Sequence, residues 1–246
     1  MSRPRIVIVG ASSAIAEHCA RLWARAAVDL VLVGRDLVRV ARVAADLRVR
    51  SPHSNVTALE ASFSDPATIA KLAATLAAER PIDIVLIAHG NLPVQQDCEQ
   101  DILKACDALE VNGVSPVLFA EAFAAQMARA GHGTLAVIGS VAGDRGRKTN
   151  YVYGAAKGMV ERYLQGLQHR FASSAIKIVL IKPGPTATPM TSHLPQRGLA
   201  SVEAVACRIV DAIARGEPVV YAPAKWALIM MVIRHLPRAI FNKLNI

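Results

Sequence analysis

Ser140-Val141-Ala142-Gly143 closes an apolar run, and Tyr153-Gly154-Ala155-Ala156-Lys157 begins thirteen residues after the serine. On a helix, positions i and i+4 share a face, so Tyr153 and Lys157 fall within reach of each other. An ammonium beside a phenol favours the phenolate, which predicts a Tyr153 pKa drawn down from its reference of about 10 toward working pH. A phenol that gives or takes a proton while a hydride moves is what carbonyl reduction needs. Ser140, at the end of the preceding strand pattern, can hold the carbonyl oxygen.

Such chemistry needs a hydride carrier, and the first residues suit one. Arg5-Ile6-Val7-Ile8-Val9-Gly10 reads as a short buried strand, and Ala11-Ser12-Ser13-Ala14-Ile15-Ala16 turns from it into a helix running to about Ala26. A small-residue turn lets the backbone of Gly10, Ser12, Ser13 and Ile15 approach a pyrophosphate at the helix N-terminus. The second strand, Asp29 to Val33, runs into Gly34-Arg35. A carboxylate there would bind a ribose 2′-hydroxyl, whereas Arg35 can pair with a 2′-phosphate. This favours NADP(H) over NAD(H).

The elements that must position these groups alternate along the chain. Strand patterns lie near 4–10, 29–34, 55–60, 82–88, 133–139, 176–182 and 218–222, with helical patterns between them. Connections of that length are βαβ crossovers, which predict a doubly wound parallel α/β sheet with helices on both faces. Gly10, Gly34, Gly90, Ser140 and Pro183 all fall at strand ends, where ligands bind in such sheets. No linker interrupts the pattern, so residues 1–246 read as one domain. Residues 185–200 are Pro-rich and aperiodic, a candidate lid over the substrate. Residues 224–246 form an apolar, basic C-terminal segment.

In their order and register these motifs resemble the short-chain dehydrogenase/reductase family over nearly the whole chain. The resemblance implies a Rossmann sheet in the order 3-2-1-4-5-6-7 and a catalytic tetrad of Asn112, Ser140, Tyr153 and Lys157. It places Asn112 on a helix, where it orders a proton-relay water. It also implies cofactor contacts from Ser62, Phe63, Ala88, His89 and Gly90, from Tyr153 and Lys157, and from Pro183, Gly184, Thr186 and Thr188 after the sixth strand. Homo-oligomers are expected by the same analogy. The chain departs from the family pattern in three places. Ala14 and Ala16 replace turn glycines, with a cost of about 1–2 kcal/mol at Ala14 if that position needs positive φ. Ser62 stands where an adenine-contacting Asp is expected, and Asp65 reads as a helix N-cap before Pro66. His89 replaces an Ala, and reads equally as a cofactor neighbour or a structural histidine.

A narrower resemblance is to decaprenylphosphoryl-2-keto-pentose reductases. It is carried by Ile87-Ala88-His89-Gly90, by the texture of Ser140 to Lys157, and by Val220-Tyr221-Ala222-Pro223 with Leu236-Pro237-Arg238 near the end. It implies reduction of a polyprenyl-phosphate-linked keto-sugar in cell-envelope precursor synthesis. Arg145, Arg147 and Lys148 between Ser140 and Tyr153 could receive the phosphate, or form a solvated loop or subunit contact. His193 in the lid could touch substrate. The alternatives are a reductase of another lipophilic ketone or aldehyde, of 3-oxoacyl or sphingoid type, and a non-catalytic NADP(H)-binding module.

Composition narrows the setting. Of 246 residues, 53% are hydrophobic but only 4% aromatic, which predicts an aliphatic core. Cys19, Cys98, Cys106 and Cys207 show no paired spacing and read as packed, reduced thiols of a cytoplasmic protein without a cleavable leader. No histidine shows metal-ligand spacing, and no metal is assigned. A net charge of +9 suits a phosphorylated substrate or an anionic membrane face. Few aromatics and no recognition module argue against nucleic acid. Trp226 to Ile233 is an unbroken apolar run, too short to span a bilayer. Either it lies at the inner face of the cytoplasmic membrane, with Trp226 and Phe241 at headgroup depth and Lys225, Arg234, Arg238 and Lys243 toward anionic lipid, or it packs against the domain or a dimer mate.

Overall fold

Seven apolar runs of four to eight residues form the strands β1 (Arg5–Val9), β2 (Asp29–Gly34), β3 (Asn55–Glu60), β4 (Ile84–Ile87), β5 (Gly133–Ile138), β6 (Ile176–Pro183) and β7 (Val219–Ala222). A computed structural model, which describes residues 3–193 and 195–244, joins them in one parallel sheet of order β3-β2-β1-β4-β5-β6-β7. The helices are α1 (Ala14–Trp23), α2 (Leu37–Arg50), α3 (Pro66–Glu79), α4 (Gln95–Gln100), α5 (Ile102–Leu109), α6 (Ser115–Ala130), α7 (Tyr151–Arg170), α8 (Val202–Arg215), α9 (Lys225–His235) and α10 (Arg238–Phe241).

Alternation along β1 shows how the core divides. Ile6 and Ile8 face one side and pack with buried residues of α1, α2 and α8. Val7 and Val9 face the other and pack with α3, α6 and α7. Both faces are therefore covered, as a parallel sheet requires. Helix starts are set by side-chain caps: Asp36 accepts from the Arg39 amide, and Asp65 from the Thr68 amide just before Pro66. The sheet order reverses between β1 and β4, which opens a crevice at their carboxyl ends. No described non-glycine residue has positive φ, and Ala14 is the first residue of α1. The conformational penalty considered for it does not arise.

One charged cluster ties the site-bearing elements together. Lys182, near the end of β6, is 1% exposed. Its ammonium donates to Asp144 Oδ1 at 2.5 Å and to Glu161 Oε2 at 2.8 Å. Asp144 ends the 3-10 turn after β5, and Glu161 lies on α7. The Tyr221 hydroxyl of β7 donates to both Asp144 oxygens at 3.3 Å. The contacts thus link the Ser140 turn, the Tyr153 helix and the Pro183-Gly184 turn.

The cysteines only partly follow expectation. Cys19 and Cys98 are buried, but Cys106 and Cys207 are exposed. They lie on outward positions of α5 and α8, which a search for paired spacing does not register.

Replacing Lys182 with Met leaves two carboxylates in the interior without their cation. Urea unfolding should show a loss of about 3–5 kcal/mol. A loss below about 1 kcal/mol would mean that the cluster does not hold these elements.

Candidate active site

The floor of the crevice is built from strand ends. Gly10 follows β1 with φ +84, and a Cβ there would stand 2.6 Å from the His89 amide nitrogen of the next strand's exit. Only glycine lets the two backbones approach this closely. At Gly34 an added Cβ would meet a Val40 methyl at 2.4 Å. A cleft of about 510 Å³ runs over Gly10, Ser12, Ser13, Ile15, Arg35, Phe63, His89, Gly90 and Thr188. Arg39 lines it as well. Arg39 stands one turn after Arg35 and joins it at the cleft wall.

A smaller recess of about 50 Å³ lies between Arg35, Phe63, Ser64, His89 and Ser115. The Phe63 and His89 rings are 4.6 Å apart, with the Arg35 guanidinium 6.0 Å from the Phe63 ring centre. His89 Nε2 is hydrogen-bonded with the Ser115 hydroxyl at 2.9 Å, while its Nδ1 is buried with no partner. Burial, then the charges of Lys157 and Arg35, push the His89 imidazole down to about 3, so it is neutral at working pH. An unpaired ring nitrogen beside an aromatic face and a guanidinium suits a purine and a ribose phosphate. These residues, with the Gly10 cradle, fit a dinucleotide. Ser62 lies outside both spaces: it is exposed, and its hydroxyl accepts from the Ser64 amide. The following residues, Phe63 and Ser64, occupy that place.

The reaction cavity, about 170 Å³, joins the cleft at Ser13 and Ile15. Ala88, Ser140, Tyr153, Lys157, Pro183, Gly184, Thr186 and Thr188 all line it. Ser140 lies beside the Tyr153 phenol and favours its phenolate, and the Ser140 oxygen accepts from the Ala142 amide at 3.1 Å. Lys157 is buried, and its ammonium donates to the Ile138 carbonyl at 3.0 Å. It lies 5.8 Å from the centre of the Tyr153 ring. The expected lowering of the Tyr153 pKa is corrected by this placement. Burial pushes the phenol up, and only Ser140 pulls the other way. Lys157 itself is pushed down to about 8 by burial. A phenol that stays protonated is a proton donor, which suits reduction of a carbonyl more than oxidation of an alcohol at neutral pH.

Asn112 sits in a π-helical turn, Glu110–Val114, between α5 and α6. Its Oδ1 accepts from the Asn91 amide at 2.9 Å, and its Nδ2 donates to Asn91 Oδ1 at 2.7 Å and to the Ala108 carbonyl at 2.9 Å. The widened turn thus clamps the chain just after Gly90 onto the helix. The contacts shown are direct ones to Asn91, a residue that the sequence pattern does not single out.

The candidate substrate residues separate. Arg145 turns away from the cavity: its guanidinium donates to the Ile233, Arg234 and Leu236 carbonyls at 2.5, 3.3 and 2.7 Å. It also stacks 3.8 Å from the centre of the Phe241 ring. His193 is exposed and lines none of the cavities described. Arg147 does reach the cavity, with a buried Nε that has no partner. Asn150 presents a buried, unpartnered Oδ1 to the same space. Of the 185–200 segment, Pro185, Thr186, Thr188, Met190 and Thr191 line the cavity, and Thr191 Oγ1 donates to the Thr186 carbonyl at 2.5 Å. Leu194 lies outside the described residues. Trp226 is half-buried. Its indole covers Gly184, where an added Cβ would come within 2.0 Å of Nε1.

Comparison with known proteins agrees with this fold. A sequence model of the short chain dehydrogenase family matches residues 4–198. An uncharacterized oxidoreductase of Mycobacterium tuberculosis is 33% identical over 243 residues, covering 97% of this chain and 96% of that protein. A short-chain dehydrogenase from Sphingobium yanoikuyae, solved in complex with NADPH, superposes with a TM-score of 0.80 at 27% identity over 96% of this chain and 97% of its own. A bulky-bulky ketone specific alcohol dehydrogenase from Comamonas testosteroni gives a TM-score of 0.81 at 25% identity, with 97% of each chain covered.

Tyr153→Phe keeps the ring and removes the proton. The rate of carbonyl reduction should fall about 10²–10⁴-fold, with nucleotide affinity within about threefold of wild type. A loss under about tenfold would remove Tyr153 from the proton step.

Proposed function

The chain belongs to the short-chain dehydrogenase/reductase family, and on that premise we propose that it is an NADP(H)-dependent reductase of a lipophilic ketone that carries a phosphate. A polyprenyl-phosphate-linked 2-keto-pentose of cell-envelope sugar synthesis is the substrate that matches this chemistry best. The oxidoreductase class itself rests on family membership and on the NADPH-bound relative. Arg35 and Arg39 at the cleft wall support the 2′-phosphorylated nucleotide.

A bound nicotinamide nucleotide supplies the hydride. The remaining work is done by this chain. Ser140 and Tyr153 hydrogen-bond the carbonyl oxygen and so polarise the carbon. The protonated Tyr153 gives its proton to the oxygen as negative charge grows there. The Lys157 ammonium adds positive potential at the cavity floor, and the Asn112–Asn91 pair fixes the wall opposite. Trp226 holds the Gly184 turn from behind.

The observation that carries the substrate reading is that Arg147 and Asn150 line the cavity and each holds a buried polar atom without a partner, Nε and Oδ1. Burial alone pushes the Arg147 guanidinium down, and no carboxylate lies against it among the described residues. A half-buried guanidinium with an unpartnered Nε is partly desolvated, so a substrate anion beside it would be favoured. Asn150 would accept from a sugar hydroxyl. Beyond Arg147 a groove of about 230 Å³ continues past Lys148, Phe241 and Leu244, which gives room for a lipid tail. The neutral-ketone reading, by contrast, draws on the apolar part of the cavity lining (Ile15, Leu92, Val141 and Met190) and on the ketone-specific relative.

Two variants test these assignments. Arg147→Ala should raise KM about 10- to 100-fold for a phosphate-bearing ketone and leave a neutral ketone of similar size nearly unchanged. Equal effects on both would favour the neutral-ketone reading. Arg35→Ala should reduce the NADPH-over-NADH preference in kcat/KM about tenfold or more. An unchanged ratio would place the nucleotide discrimination elsewhere.

A further inference from the structure

Helix α9 is apolar on two sides, and only one of them is covered. Met230 is fully buried, Trp226 lies against Gly184, and Ile233 is partly buried. These residues recur at i, i+4 and i+7 and form the inner face. On the outer face Leu228, Met231 and Val232 are 63%, 54% and 54% exposed. Farther along the chain, Ile240 of α10 and Leu244 are exposed as well. A helix that is hydrophobic all round is normally enclosed, and a contiguous exposed apolar patch marks an interaction site.

Charge identifies the partner. No Asp or Glu follows Glu217 in the sequence, while Lys225, Arg234, Arg238 and Lys243 border the apolar surface. Arg234 is 3.9 Å from Asp144, but among the described residues Lys225, Arg238 and Lys243 face no carboxylate within ion-pair distance. Apolar side chains flanked by unpaired cations match the acyl boundary and headgroups of an anionic bilayer. At 11 residues, α9 is about 16 Å long. No helix among the described residues is long and apolar enough to cross a membrane, so contact would be in the plane of the surface.

We propose that α9 and α10 dock this protein on an anionic lipid membrane, with the mouth of the reaction cavity turned toward the lipid. Arg145 is the clasp. By filling the carbonyl end of α9 and stacking on Phe241, it fastens the docking element to the loop that carries Arg147. The groove between that loop and α10 shares Arg147 with the cavity. Docking stands apart from the substrate assignment, because it is read without turnover.

The test is sedimentation of the full chain with vesicles, using phosphatidylcholine alone and phosphatidylcholine mixed with phosphatidylglycerol. The wild type should pellet with the mixed vesicles at low salt, and be released by high salt or by omitting phosphatidylglycerol. Leu228→Glu with Met231→Glu should weaken partitioning at least about tenfold. Lys225→Ser and Lys243→Ser should each weaken it about fivefold. A wild type that stays in the supernatant with mixed vesicles at low salt overturns the proposal. So does equal pelleting of wild type and the Leu228→Glu, Met231→Glu variant. If neither pellets and the variant alone shows a lower mass in solution, the surface belongs to a second copy of this chain.

Discussion

The site depends on how its charges are divided. Two carboxylates lie under the catalytic turns, Asp144 and Glu161, and both are claimed by one buried cation, Lys182. Two other cations line the cavity, Lys157 and Arg147, and burial lowers the pKa of each without an opposing ion pair. Had either carboxylate faced the cavity, it would have neutralised these groups and repelled a phosphate. The cluster under the floor therefore leaves the space above it positive. Inside a low-dielectric pocket such a field is felt strongly by anions and by charge that develops on an oxygen.

The same cluster is mechanical. It joins the turn after β5, helix α7 and the end of β6, and these carry Ser140, Tyr153 with Lys157, and Pro183-Gly184. The opposite wall is fixed differently, by the Asn112 amide clamped to Asn91 in a π turn. The nucleotide cleft lies where the strand order reverses, and there a glycine allows two strand exits to touch. Rigid elements thus place each polar group, and the mouth alone is formed by loops and the C-terminal helices.

The parallel sheet was legible in local pattern, whereas its strand order and the four candidate catalytic residues came from the family resemblance. Short apolar strands spaced by helical stretches allow few topologies, and Tyr153 and Lys157 are tied by helical spacing. What escaped was set by tertiary contact. Arg145 and Arg147 are two residues apart with similar chemistry, yet one caps α9 and the other faces the cavity. Nothing in the sequence between them marks which would do so. Ser62 followed alignment into the wrong direction of a side chain. Trp226 suggested a headgroup anchor, but the space above Gly184 claimed its indole. Helical spacing reports proximity and not burial, and burial raises the Tyr153 pKa with only Ser140 opposing it. Asn91 and Asn150 carried no signal beyond their polarity.

The most direct test of this charge arrangement is an NMR titration of the Lys157 ammonium in the nucleotide-free protein, assigned by comparison with Lys157→Arg. A midpoint of about 8, below the ordinary 10.5, is expected from an ammonium buried without a counter-ion. Adding NADPH should raise that midpoint, since an anion in the cleft favours the charged form. A midpoint at or above 10.5 that ignores the nucleotide would contradict the account, because the cavity would then be neither closed nor positively charged.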